Sequence, residues 1–237
     1  MFILPTLKHL VLTKLYSLIL IGLIAVSCGP KPNSKNTEEV IEKPTAVPGQ
    51  EEEVSRSILD PLFSFGSEEM LALAFGKENL KQNIAHGPEG TSTYPTTSVL
   101  QQTGEVTFNW APEDTISGVY EHLNSISTES PEWETQEGIY VGMSLDELQT
   151  LNGEPFSLYG FEWEYGGLCW FEKGALQERS PRLGIKLEAA PSKIQSDDYR
   201  SSVGKSVFQS SDEQIKALDL RVASIRILAP KTSALTD

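Results

Sequence analysis

The chain has 237 residues, with 33 Asp and Glu against 19 Lys and Arg, and only two cysteines. A formal charge of −14 excludes a nucleic-acid binder, which needs a basic face to displace counterions. Two cysteines exclude a disulfide scaffold and a cysteine-rich zinc site.

Residues 1–27 carry Lys8 and Lys14, no acids, and an apolar run from Leu15 to Val26 that ends at Ser27-Cys28. A basic flank, a short apolar segment and a small residue before the cut predict a secretory signal peptide. The run falls short of the roughly 20 apolar residues that span a bilayer. Ala25-Val26-Ser27-Cys28 resembles a bacterial lipoprotein signal, departing only where Leu is usual at the first position. That resemblance implies acylation of Cys28, which becomes the membrane anchor. Cleavage after Ser27 removes two lysines and leaves a mature charge of −16, so the lipid, not charge, must hold the protein to an anionic surface.

Residues 28–56 read as a tether. From Gly29 to Arg56 there are four prolines, six glutamates and no aromatic residue, too little apolar area to offset ordering entropy. As a coil it reaches roughly 30 Å from the membrane. No acidic cluster directly follows Cys28. In lipoproteins of the Bacteroidetes group, which this one resembles, such a cluster marks surface export. Its absence points to an outer-membrane protein facing the periplasm.

Residues 57–231 read as one α+β domain with an antiparallel sheet and a few short helices, its halves at 57–130 and 131–231, and residues 232–237 as a disordered tail. Ser67 caps a helical segment, Glu68 to Phe75, closed by Gly76, and Ser144 caps a second, Leu145 to Asn152, closed by Gly153. Ser144 and Glu147 have capping-box spacing. Both segments run nine positions from Ser to Gly and lead into a strand, which predicts two repeated helix–strand units. Glu105 to Trp110 alternates as a strand, and Ile116–Tyr120, Ile139–Val141, Leu183–Leu187 and Leu220–Leu228 read as further strands. Leu158 to Tyr165 alternates as well, with Gly166-Gly167 turning the chain into Leu168-Cys169-Trp170-Phe171.

Gly138-Ile139-Tyr140-Val141-Gly142-Met143-Ser144, continuing through Glu147 to Gly153-Glu154-Pro155, resembles a segment of small envelope lipoproteins similar to the BamE/SmpA assembly family and of the tandem-repeat β-lactamase inhibitor proteins. The stretch Gly160 to Gly167 is similar to an uncharacterised Bacteroidetes lipoprotein family over most of residues 67–229. The first resemblance implies helices on an antiparallel sheet and a binding role. Neither implies a catalytic residue.

No motif in the sequence carries catalytic chemistry. His86 and His122 lack ligand spacing, Gly142-Met143-Ser144 is a cap and not a nucleophile elbow, and Tyr199 stands where a phosphate loop ending in Gly204-Lys205-Ser206 needs glycine. Asp197-Asp198 lacks the spacing of a calcium loop. No cofactor or metal is expected, and Cys169 reads as a buried small hydrophobe. Asp114-Thr115-Ile116 resembles a Bacteroidetes O-glycosylation acceptor, which implies modification of Thr115. The one constellation with binding potential is the stripe Tyr159, Phe161, Trp163 and Tyr165 with Trp170 on the next strand. It reads first as a sheet face covered by helices, and as an exposed platform for a partner or a glycan where the hairpin tip projects. The expectation is a non-catalytic envelope lipoprotein that binds another envelope protein. The alternative is an envelope hydrolase acting on glycan or peptidoglycan through paired carboxylates, one with a raised pKa.

Overall fold

The computed structural model describes residues 55–87, 90–101 and 104–230. The signal segment, Cys28, nearly all of the tether and the tail lie outside them.

The chain enters through β1 (Ser57–Ile58) and reaches α1 (Glu68–Phe75). Ser67 starts that helix because its extended backbone lets the hydroxyl accept from Met70 N at 3.3 Å, and Gly76 ends it at φ 84. An antiparallel meander follows: β2 (Leu80–His86), β3 (Thr93–Gln101) and β4 (Gly104–Trp110). A one-turn helix, α2 (Asp114–Ser117), leads to β5 (Leu123–Thr128), which lies beside β4. β6 (Trp133–Glu134) pairs in parallel with β1.

The pattern then recurs. α3 (Leu145–Asn152) starts at a capping box, with the Glu147 carboxylate accepting from Ser144 N at 2.8 Å and the Ser144 hydroxyl accepting from Glu147 N at 3.3 Å. A second meander follows: β7 (Ser157–Tyr159), β8 (Leu168–Trp170) and β9 (Leu183–Glu188). After α4 (Asp197–Ser201) and the edge strand β10 (Val207–Gln209), a one-turn helix, α5 (Glu213–Lys216), leads to β11 (Arg221–Leu228) beside β9.

The sheet has nine strands in the order β10-β7-β8-β9-β11-β5-β4-β3-β2, every neighbouring pair antiparallel. The protein is therefore α+β, built from two helix-plus-meander units fused through their fourth strands, β5 and β11, with Ile126 opposite Ile227. The units match in detail. The first amide of α1, Glu68 N, donates to Tyr120 O at 2.8 Å just before β5, and that of α3, Leu145 N, donates to Leu220 O at 2.9 Å just before β11. The second unit differs by the insertion of α4 and β10.

Pleating separates the two sides of this sheet. One row across β3, β4, β5, β11 and β9 reads Thr97, Phe108, Ile126, Ile227 and Leu183, all buried. Leu71, Leu148 and Ile215 from α1, α3 and α5 join the same core. Burying side chains of this size contributes roughly 1.5–3 kcal/mol each. Asn152 ties α3 to the loop before β9: its amide donates to Glu154 O and Lys173 O at 2.8 and 3.0 Å, and its oxygen accepts from Leu176 N at 3.0 Å. Arg179 clamps the entry segment by pairing with Asp60 and, Nε to Oε1 at 2.7 Å, with Glu137.

Three local expectations are corrected. Ile116 belongs to α2, and Tyr120 to the loop after it, because Gly118 at φ 69 closes a helical turn. Ile139–Val141 makes only a single bridge, Tyr140 with Glu134, since Gly138 and Gly142 take φ 87 and 98 on either side. The strand read from Leu158 to Tyr165 ends at Tyr159, and Glu162 at φ 60 breaks the extended run.

Candidate functional site

The face opposite the core carries the neighbouring row on the same five strands: Ser98, Thr107, Ser127, Arg226 and Gly184. Hydroxyls pair across it, Ser98 to Thr107 at 3.0 Å, and Arg226 stands exposed. Small polar side chains leave this face low in relief, so the bulky groups at its end dominate its shape.

Those groups are aromatic. Tyr159 is the hub, 4.7 Å from Trp170, 5.1 Å from Trp163 and 6.5 Å from Tyr165 between ring centroids, and Trp163 lies 5.2 Å from Tyr165. Trp163 is held by donation from its indole N–H to Gly160 O at 2.9 Å, with Lys205 Nζ 5.5 Å above the ring. Tyr165, at the turn, is 38% exposed. Phe161 is the correction. Alternation put it on the same face, but β7 ends at Tyr159 and the Phe161 backbone pairs instead with Ser202 O and Gly204 N, which leaves the side chain in the core, 4% exposed and stacked on Tyr199 at 5.3 Å. Four of the five residues read as a platform therefore cluster, and the fifth lies in the core.

A cavity of about 660 Å³ opens beside this cluster, lined by Tyr159, Tyr165 and Trp170 with Arg182, Lys186 and Arg226. His86 and Tyr94, from the hairpin at the far side of the sheet, line it too. Side chains from β2–β3 and β7–β8 can share one cavity only if the sheet curls around this face. A second cavity of about 500 Å³ also has Ser224 and Arg226 in its lining. A third, of about 770 Å³, lies between α1 and the loop after α2 on the first unit, with the exposed Leu73 and Val119 in its lining.

Among the described residues no group of three or more His, Cys, Asp or Glu is placed to hold a metal ion. Cys169 is buried, and desolvation pushes its thiol well above the usual cysteine range, so it stays protonated. The shifted carboxylates all move downward. Ser144 donors hold Glu147 low, first through the hydroxyl and then through the amide. Burial works to raise Glu172 and Asp114, but donors from Ser157 and from His122 and Glu121 outweigh it. These three carboxylates therefore stay ionised at neutral pH.

Asp114 is a group that spacing missed. It is 1% exposed and accepts from Glu121 N at 3.0 Å and His122 N at 2.9 Å, while its other oxygen lies 2.6 Å from His122 Nδ1. Its contacts fix the approach to β5. The neighbouring Thr115 is exposed on α2. His122 is raised above its ordinary 6.5, first by the Asp114 hydrogen bond and then by its charge. Its contribution to stability is therefore full below pH 6.5 and lost as pH rises through the raised value. Asp114 is depressed below 3.8, so its contribution is present above that pH and lost as acid reaches the lowered value. His122→Ala is expected to cost more stability at pH 5.5 than at pH 8.5 in paired urea titrations, and Asp114→Asn to flatten both limbs.

Fold and face together define a protein with two repeated units sharing one curled sheet, presenting an aromatic-edged groove. No protein-family model matches the chain, and no curated protein matches it. Among solved structures, it is similar to the crystal structure of the uncharacterised protein yfeY from Escherichia coli, at 9% identity and a TM-score of 0.35, over 68% of this chain and 87% of that one. A likeness that loose carries no functional weight.

Proposed function

We propose that the chain is a non-catalytic lipoprotein of the bacterial cell envelope, anchored through Cys28 and set at the outer membrane facing the periplasm, that binds a partner envelope protein through the open face of its sheet. The signal-like residues 1–28 and the acidic tether support the anchor. The observation that carries the binding reading is the clustering of Tyr159, Trp163, Tyr165 and Trp170 beside a cavity on the face opposite the core. Rings grouped at the rim of a groove are what protein interfaces enrich at their centres. The resemblance to assembly lipoproteins and tandem-repeat inhibitors agrees with a binding role.

The test is site-specific photo-crosslinking in cells, with the reactive group at Tyr165 and, as a control, at Lys216 on α5. A discrete adduct from position 165 and none from 216 is expected, all in the membrane fraction and released from it by Cys28→Ser. No adduct at 165, or equal adducts at both, overturns the binding reading.

A further inference from the structure

We propose that the occupant of the aromatic cavity is an acidic peptide segment of the partner protein, which rests on the binding reading above and names its chemistry. The lining of this cavity departs from the charge of the chain. The chain carries 33 acids against 19 bases, yet the charged residues that line this cavity are Arg182, Lys186 and Arg226 against Glu164, with Glu188 beside Lys186 and Glu105 and Glu129 lining the adjacent cavity that Arg226 also borders. These cations converge through the sheet and not through the sequence: β9 and β11 pair with Arg226 opposite Gly184, which places Lys186 and Arg226 on one face with glycine between them. Arg182 is held in place, its guanidinium donating twice to Leu228 O at 3.0 and 2.8 Å. Lys186 lies 3.8 Å from Glu188, a loose pair that leaves its ammonium able to reach a second anion. Arg226 stands exposed and lines both cavities. At physiological salt the screening length is about 8 Å, so an anion inside the cavity senses the charges that line it more strongly than acids elsewhere on the molecule.

Ring geometry separates a peptide from an anionic sugar. Stacking a pyranose needs a free, flat aromatic face. Here Tyr159 meets Trp163 at 85°, Trp170 at 49° and Tyr165 at 48°, so neighbouring rings occupy one another's faces and edges. What remains is an irregular apolar rim beside carboxylate donors, which suits a peptide carrying alternating apolar and acidic side chains. Arginine supplies the bidentate geometry that carboxylates take up.

The test uses the full chain in detergent and three probes, octaglutamate, octalysine and a hexamer of galacturonic acid, with binding read by calorimetry. Octaglutamate is expected to bind and octalysine not to bind. Lys186→Gln with Arg226→Gln should weaken octaglutamate at least tenfold, while Lys173→Gln with Lys216→Gln, which removes equal charge elsewhere, leaves it within twofold. Near-ultraviolet circular dichroism verifies that both pairs stay folded. Failure of octaglutamate to bind, equal loss in both variants, or binding of the galacturonate in its place overturns the assignment. An adduct at Tyr165 alongside failure of octaglutamate leaves partner binding standing and removes only the acidic chemistry.

Discussion

Trp110→Ala is expected to lower stability by about 3–5 kcal/mol, the range for truncating a buried large aromatic. Trp110 is fully buried at the end of β4, 6.2 Å from Phe108 and 6.3 Å from Tyr120, so its loss opens a cavity bounded by rings that cannot close it. It also starts a polar relay. The indole N–H donates to Thr97 Oγ1 at 3.0 Å, and Thr97 Oγ1 donates to Glu68 Oε1 at 2.6 Å. Glu68 is the first residue of α1 and also accepts from Gln82 Nε2 at 2.7 Å. One side chain thus links the core, β3, and the helix start of the first unit. Trp110→Phe keeps most of the volume and loses only the indole donor, so its expected cost is about 1–2 kcal/mol. Urea unfolding at unchanged m-value separates the two, and equal costs for Ala and Phe would show that the relay, not packing, holds this corner.

Trp110 also shows what the residues reveal in order. Val106, Phe108 and Trp110 alternate and form a strand with one buried face, because β4 is central and its two sides meet different surroundings. The edge strand β2, Leu80-Lys81-Gln82-Asn83-Ile84-Ala85-His86, has no fully buried position and hence no alternation to read. β3 hides behind Pro95, which propensity rules count against an inner strand. The paired Ser-to-Gly segments pointed to two helix–strand units, and the sheet carries both, since a capped helix is a local signal that survives folding unchanged.

The candidate site was less legible. Tyr159, Trp163, Tyr165 and Trp170 were visible as a stripe, but alternation assumes continuous extended backbone, and β7 ends at Tyr159, after which Phe161 bridges to Val203 and faces inward. Arg182, Lys186 and Arg226 form no motif, because the β9–β11 register alone brings them to one cavity. The Asp114–His122 contact is closed by a reversal at Gly118 that no residue spacing announces.

Gly167→Ala joins fold and site, and it is expected to cost about 3–5 kcal/mol. Gly167 sits at φ 73 at the mouth of β8, its N–H donating to Tyr159 O at 3.2 Å and its carbonyl accepting from Leu187 N at 2.9 Å. A Cβ there would stand 2.0 Å from Leu187 O and 3.1 Å from its carbonyl carbon, both backbone atoms of a central strand that cannot swing aside. Gly118 separates strain from collision. Its φ is 69, nearly the same, but a Cβ would meet nothing within 4 Å, so Gly118→Ala carries only the left-handed penalty of about 1–2 kcal/mol. The excess at Gly167 measures the close approach of β7, β8 and β9. Relief of that clash must move β8 away from β9, and with it Trp170 and the turn that carries Tyr165. Gly167→Ala is therefore expected to abolish the crosslink at Tyr165 even below its unfolding midpoint, while Gly118→Ala retains it. Equal stability losses at the two glycines, or an undiminished crosslink in Gly167→Ala, would mean that the aromatic cluster does not depend on this backbone contact.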